Sequence, residues 1–192
     1  MKLYFVRHGR TPANILRVYN GISNDESLSQ EGIDDLNKKK DLYKDIHFDY
    51  VYASPMKRVQ ETLAILTDQE IDELRKDLME MDFGDWVGVN YDEKTKELAT
   101  LGYTWDDYVD PDNGETYEHL FARTKSFVDE VLSKHKDDET ILIGSHGMTI
   151  AALMKGSFLK DVNFYQLTPE NGLGYMVDTK DGSVEKIEYP SY

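Results

Sequence analysis

Apolar residues recur along this chain in two rhythms. Short runs rich in branched and aromatic residues stand at 2–6, 48–53 and 140–145 and read as buried strands. Between them the spacing changes to threes and fours. Ile33, Leu36, Leu42 and Tyr43 follow Ser29, a plausible helix cap. Val59, Leu63, Ile65 and Leu66 follow Ser54-Pro55, which predicts a helix with Pro55 at its first position. From Thr116, the positions Tyr117, Leu120, Phe121, Thr124, Phe127, Val128, Val131 and Leu132 give the clearest helix in the chain. Residues 148–158 continue as an Ala/Leu/Met-rich helix. The runs 173–177 and 184–189, joined around Asp181-Gly182, read as a hairpin. Residues 15–27 read as a polar loop turning at Gly21, Leu74 with Leu78-Met79 as a short edge strand, and Phe83 to Gly88 as a loop with two aromatic anchors. Strands alternating with helices predict an α/β fold, a doubly wound, mostly parallel sheet with an antiparallel edge.

No repeat, linker or low-complexity stretch divides the 192 residues, so the expectation is one domain, 1–192, with 71–115 as a variable rim or cap segment. Hydrophobic residues at 40% and charged residues at 31% are the balance of a folded soluble chain. No Cys is present, which excludes disulfides and thiolate metal sites. Neither a leader nor an apolar run of membrane-spanning length is found, and the expected location is cytoplasmic. The formal net charge of −15 repels nucleic acid and anionic membranes, so neither is an expected partner. It also makes any local cluster of arginines informative.

Two strand ends carry the same device, Arg7-His8-Gly9 and Ser145-His146-Gly147. Each sets a histidine where open α/β sheets place their ligands, followed by a glycine that lets a ligand approach the backbone. The start of the helix after His146 offers free N–H groups to an anion. Arg58, in the first turn after Ser54-Pro55, adds a third junction. Arg7, Arg58, His8 and His146 can therefore meet on one tetrahedral dianion, which the planar fork of arginine binds in pairs of oxygens.

With these residues the chain resembles the histidine phosphatase superfamily, the phosphoglycerate-mutase-like proteins. Arg7, His8, Gly9, Thr11 and Asn14 match its opening motif, and Leu28 to Gly32 its Leu-Thr-x-x-Gly. Ser54 to Arg58 with Thr62 match its second arginine motif. Leu78-Met79-Glu80, followed by Phe83-Gly84-Asp85-Trp86 and Gly88, match its acidic motif. Gly114-Glu115-Thr116 and Ser145-His146-Gly147 complete the series in family order. The resemblance implies a phosphohistidine route, needing no metal and no cofactor. His8 would be the nucleophile, and Arg7, Arg58 and His146 would neutralise the equatorial oxygens. Glu80 would protonate the leaving alkoxide and then activate water; Glu115 and Asp82 are competitors for that role. Thr11, Asn14, Asn20, Gly21 and Gly147 correspond to family positions around the substrate. His47, His119 and His135 read as structural.

Two departures bear on substrate. Position 10 is Arg10, where the family usually carries Glu or Gln: either an exposed loop residue or an added cation for a second anionic group. Val89-Asn90-Tyr91-Asp92 stands where mutases place paired arginines, and the extra length of mutases is lacking. Both favour hydrolysis of small phosphomonoesters over a phosphoglycerate mutase; a non-catalytic binder of phosphorylated ligands is the third alternative. The acidic rim from Asp106 to Asp112 disfavours very highly charged substrates. The pattern carries no signal for oligomeric state or for the physiological substrate.

Overall fold

The computed structural model describes residues 1–104 and 107–190; Asp106 of the acidic rim lies outside the described residues. The strands are β1 (Lys2–Arg7), β2 (Tyr50–Ala53), β3 (Glu73–Leu74), β4 (Thr140–Ser145), β5 (Gly174–Asp178) and β6 (Ser183–Ile187). They form one six-stranded sheet in the order β3-β2-β4-β1-β5-β6. The first four in that order run parallel, and β5 and β6 add the antiparallel edge. The doubly wound α/β fold read from the chain is thus the one observed.

The central strands read as continuous apolar runs because both faces of the sheet are covered. Leu3, Phe5, Tyr52, Ile141 and Ile143 point into one core, which α5 (Tyr117–Lys134) and α6 (Gly147–Ser157) complete. Val6, Val51, Ala53 and Leu142, one residue out of phase, point into the other. That core is closed by α2 (Gln30–Lys39) and α3 (Lys57–Leu66). A fully buried side chain such as Phe5 or Leu3 contributes about 1.5–3 kcal/mol relative to an exposed one. Shifting any central strand by one residue would exchange the two cores, so register is fixed from both sides.

Several boundaries differ from the sequence reading. The polar loop begins as a helix, α1 (Pro12–Leu16), because Thr11 and Asn14 cap each other's backbone and Pro12 stands at its first position. A five-residue helix shows no apolar period. Pro55 lies outside α3, which starts at Lys57 with Met56 as its cap residue, while the Ser54 hydroxyl is engaged by His146 Nε2 at 2.8 Å. Only Glu73–Leu74 forms the edge strand; Leu78 closes a tight 3-10 turn and Met79 lies beyond it. A further helix, α4 (Tyr91–Thr100), follows the Asn90 cap. None of its residues is buried, so it leaves no core stripe in the sequence. Among the described residues no helix is long and apolar enough to cross a membrane.

Candidate active site

The site grows from the pairing of β1 with β4. Their register sets Arg7 opposite Ser145, so the next residues, His8 and His146, leave the sheet side by side. The His8 N–H donates to the Ser145 carbonyl at 3.1 Å, and the two imidazole centroids lie 5.1 Å apart. On the far side of β4, Ser54 leaves β2 and meets His146. Arg7, His8 and Gly147, from the ends of β1 and β4, line the floor of one cavity, while His146 and Ser54 lie fully buried behind them.

His8 is buried, with its Nδ1–H donating to the Gly9 carbonyl at 2.7 Å. In the neutral ring that bond leaves Nε2 as the unprotonated nitrogen. Burial, together with the Arg7 and then the Arg58 guanidinium, holds the His8 pKa well below the usual histidine range. His146 is depressed in the same direction, by burial first and by Arg58 and His8 next.

Both arginines are anchored by backbone carbonyls. Arg7 Nη1 donates to Pro169 at 2.7 Å, and Arg58 donates from Nη1 to Asn24 at 3.1 Å and from Nη2 to Gly21 at 3.3 Å. Arg7 Nε, Arg58 Nε and His146 Nδ1 are buried and have no protein partner. Groups of this kind are costly unless a ligand satisfies them. Three of them around His8 suit an anion with several oxygens. Gly147 gives Arg7 its room: a Cβ there would stand 3.1 Å from the guanidinium carbon and press on it.

Glu80 is buried beside this floor and lines the same cavity. Its Oε1 accepts from Met81 N at 2.9 Å and from Thr149 N and Oγ1 at 3.2 Å each, while Oε2 accepts from Met148 N at 3.4 Å. Met148 and Thr149 belong to the first turn of α6, so their N–H groups, expected to be free for a bound anion, are taken by Glu80. The helix end steers the carboxylate. Neither competitor lines the cavity. Glu115 is bound by Arg123 at 2.6 Å, and burial, which raises its pKa, is outweighed by that partner. Asp82 accepts from Gly84 N.

The cavity above the floor has a volume of about 600 Å³. Asn14, Asn20 and Gly147 line it. Three other expected substrate residues do not. Thr11 is buried as the cap of α1, Gly21 contributes its carbonyl to Arg58, and Arg10, half exposed, pairs with Glu31. Of the histidines read as structural, His119 pairs with Glu115, and His135 bonds Tyr52 and Glu139; His47 is exposed near Asp49. The wall was missed by the sequence reading except for Phe83 and Trp86. Tyr19, Tyr91, Leu98, Tyr117 and Tyr165 complete it, from separate segments with no shared motif. Asn171 was missed too: its amide donates to the His8 carbonyl at 2.9 Å and to Asn14 at 3.3 Å. Among the described residues no group of three or more His, Cys, Asp or Glu is placed to hold a metal.

The profile of the histidine phosphatase superfamily (branch 1) matches residues 3–185. The adenosylcobalamin/alpha-ribazole phosphatase of Escherichia coli (strain K12) is 30% identical over 159 residues, covering 80% of this chain and 77% of that protein. A 2,3-bisphosphoglycerate-dependent phosphoglycerate mutase of Nitrobacter hamburgensis is 31% identical over 163 residues, covering 79% and 78%. The crystal structure of the alpha-ribazole phosphatase from Shigella flexneri superposes with a TM-score of 0.77 at 25% identity, over 98% of this chain and 95% of that one.

Proposed function

The chain belongs to the histidine phosphatase superfamily, and from that membership we propose that it is a metal-independent phosphatase of phosphomonoesters, working through phosphorylated His8. The observation that carries this reading is the set of three partnerless buried nitrogens, on Arg7, Arg58 and His146, grouped around an imidazole whose Nε2 is free.

In the first step His8 Nε2 attacks phosphorus in line with the leaving oxygen, the N–P bond forming as the P–O ester bond breaks. Arg7, Arg58 and His146 bind the equatorial oxygens, where negative charge spreads. Glu80 gives its proton to the departing alkoxide. In the second step Glu80 takes a proton from water, the water oxygen attacks phosphorus, and the N–P bond breaks to release inorganic phosphate and restore His8. The arginines supply the positive charge for both steps, which is why no metal enters. Because burial and two guanidiniums keep His8 neutral, the nucleophile stays competent into mild acid, and the acidic limb of kcat/KM falls below pH 6.5. Of the segment 71–115, expected as a rim or cap, Glu80 joins the chemistry while Phe83, Trp86, Tyr91 and Leu98 form part of the wall over it.

Transfer to water rather than to a second substrate is supported by the ground where α4 begins. Tyr91 and Asp92 line the cavity there, and Asp92 holds Arg17 in a bidentate pair at 2.9 and 3.0 Å. The test is a quenched reaction with p-nitrophenyl phosphate followed by intact-mass measurement. One added phosphoryl group is expected on the wild type and none on His8→Ala, whose turnover should fall by about 10⁴-fold or more. A His8→Ala protein that turns over like the wild type removes the nucleophile assignment. A parallel incubation with 3-phosphoglycerate and catalytic 2,3-bisphosphoglycerate separates the mutase: formation of 2-phosphoglycerate without free phosphate overturns hydrolysis.

A further inference from the structure

The phosphate-sized floor occupies a small part of the cavity. The cavity's volume of about 600 Å³ is within the range of pockets that hold drug-sized ligands, roughly 300–1,000 Å³, and exceeds what a phosphoryl group needs. What surrounds that space is aromatic. Tyr19 is the hub, its ring centroid 4.8 Å from Phe83, 5.5 Å from Trp86 and 4.8 Å from Tyr91. Leu98 and Ala99 extend the wall along α4, a helix with no fully buried residue, whose Leu98 packs half-buried against the first core. Its apolar face is turned to the cavity, so a ligand's apolar part would complete its packing.

Charge in the wall points the same way. Beyond Arg7 and Arg58, Arg17 is the only lining cation among the described residues, and Asp92 already holds it. Among the described residues the other ionic groups away from the floor are Asp92 and Asp107. Burial raises the pKa of Tyr19 to about 12 and those of Tyr91 and Tyr165 in the same direction, so these phenols present neutral surface. A second anion on the ligand would meet no unpaired cation and would lose its hydration.

We propose that the substrates are monophosphates of a large, flat, uncharged aromatic or heteroaromatic group, and that phosphoesters with a second anionic group are poor substrates. This rests on the phosphatase reading above. It assigns Tyr19, Trp86 and Tyr91 as specificity-determining residues.

The test compares esters of similar leaving-group basicity: 2-(1-naphthyl)ethyl phosphate, glycerol 1-phosphate and 3-phosphoglycerate. The naphthyl ester is expected to exceed the other two in kcat/KM by at least tenfold, through KM. Tyr91→Ala should bring that ratio down severalfold. Calorimetric binding of naphthylmethylphosphonate against methylphosphonate gives a readout that needs no turnover, with the same order expected. Equal kcat/KM for the three esters overturns the inference and leaves hydrolysis standing. Tight naphthylphosphonate binding without phosphate release from any ester upholds the wall assignment and removes the phosphatase reading. Failure of both discrimination and release removes both.

Discussion

Arg7, His8 and Arg58 on the cavity floor, with His146 buried behind them, are each fixed by the sheet or by backbone carbonyls, whereas the Tyr19, Trp86 and Tyr91 side chains on the wall meet as a cluster of rings. On the floor, a sub-ångström error in a guanidinium would break alignment with the transferring group, and rigid strand ends give the needed precision. On the wall, aromatic contact is tolerant of small shifts and asks only for area. The two regions also differ in charge: Arg7 and Arg58 bring guanidiniums to the floor, while the Tyr117 and Tyr165 hydroxyls on the wall bond each other at 3.0 Å. A ligand is thus gripped at the floor and packed at the wall.

The largest test of this contrast is Arg58→Ala. It should lower kcat/KM by about 10²–10³-fold on every phosphomonoester alike, the scale of losing an oxyanion donor. A loss confined to bulky esters would place Arg58 with the wall instead. The next concerns protonation. His8 and His146 are buried with pKa values below the usual 6.5, so the unfolded chain binds protons that the native floor refuses. Stability is therefore fully present above pH 6.5 and declines as pH falls below it, by up to about 1.4 kcal/mol per pH unit for each histidine. Urea unfolding at pH 7.5, 6.5 and 5.5 measures the slope, and His146→Gln should make it shallower. An unchanged slope would mean that the floor histidines do not govern it. The smallest effect is expected for Arg10→Ala. Its exposed pair with Glu31 lies away from the cavity lining, so kcat/KM should stay within about twofold for substrates with one or two anionic groups. A selective loss on a doubly anionic ester would restore Arg10 to the substrate site.

The floor was legible in the chain because each of its parts is local. Arg7-His8-Gly9 and Ser145-His146-Gly147 are consecutive residues at the ends of apolar runs, and the apolar runs reveal the strands that align them. The wall was not legible, for two reasons. Its rings come from positions 19, 86, 91, 117 and 165, brought together only by the tertiary fold. The helix carrying Tyr91 and Leu98 has no fully buried residue, and periodicity reports burial. The start of α6, expected to offer free N–H groups to an anion, holds the chain's own Glu80 carboxylate, and nothing in the local sequence shows that a residue 68 positions earlier takes Met148 N–H.

That contact has a mechanical consequence. The same turn of α6 carries both the acid, through Met148 and Thr149, and the clearance for Arg7, through Gly147. Glu80 is tethered to α6 through Thr149, whereas Arg7 is set by β1 and the Pro169 carbonyl, so any drift of α6 would change the spacing between proton donor and phosphate clamp. The close fit of Gly147 against the Arg7 guanidinium is a stop on that drift.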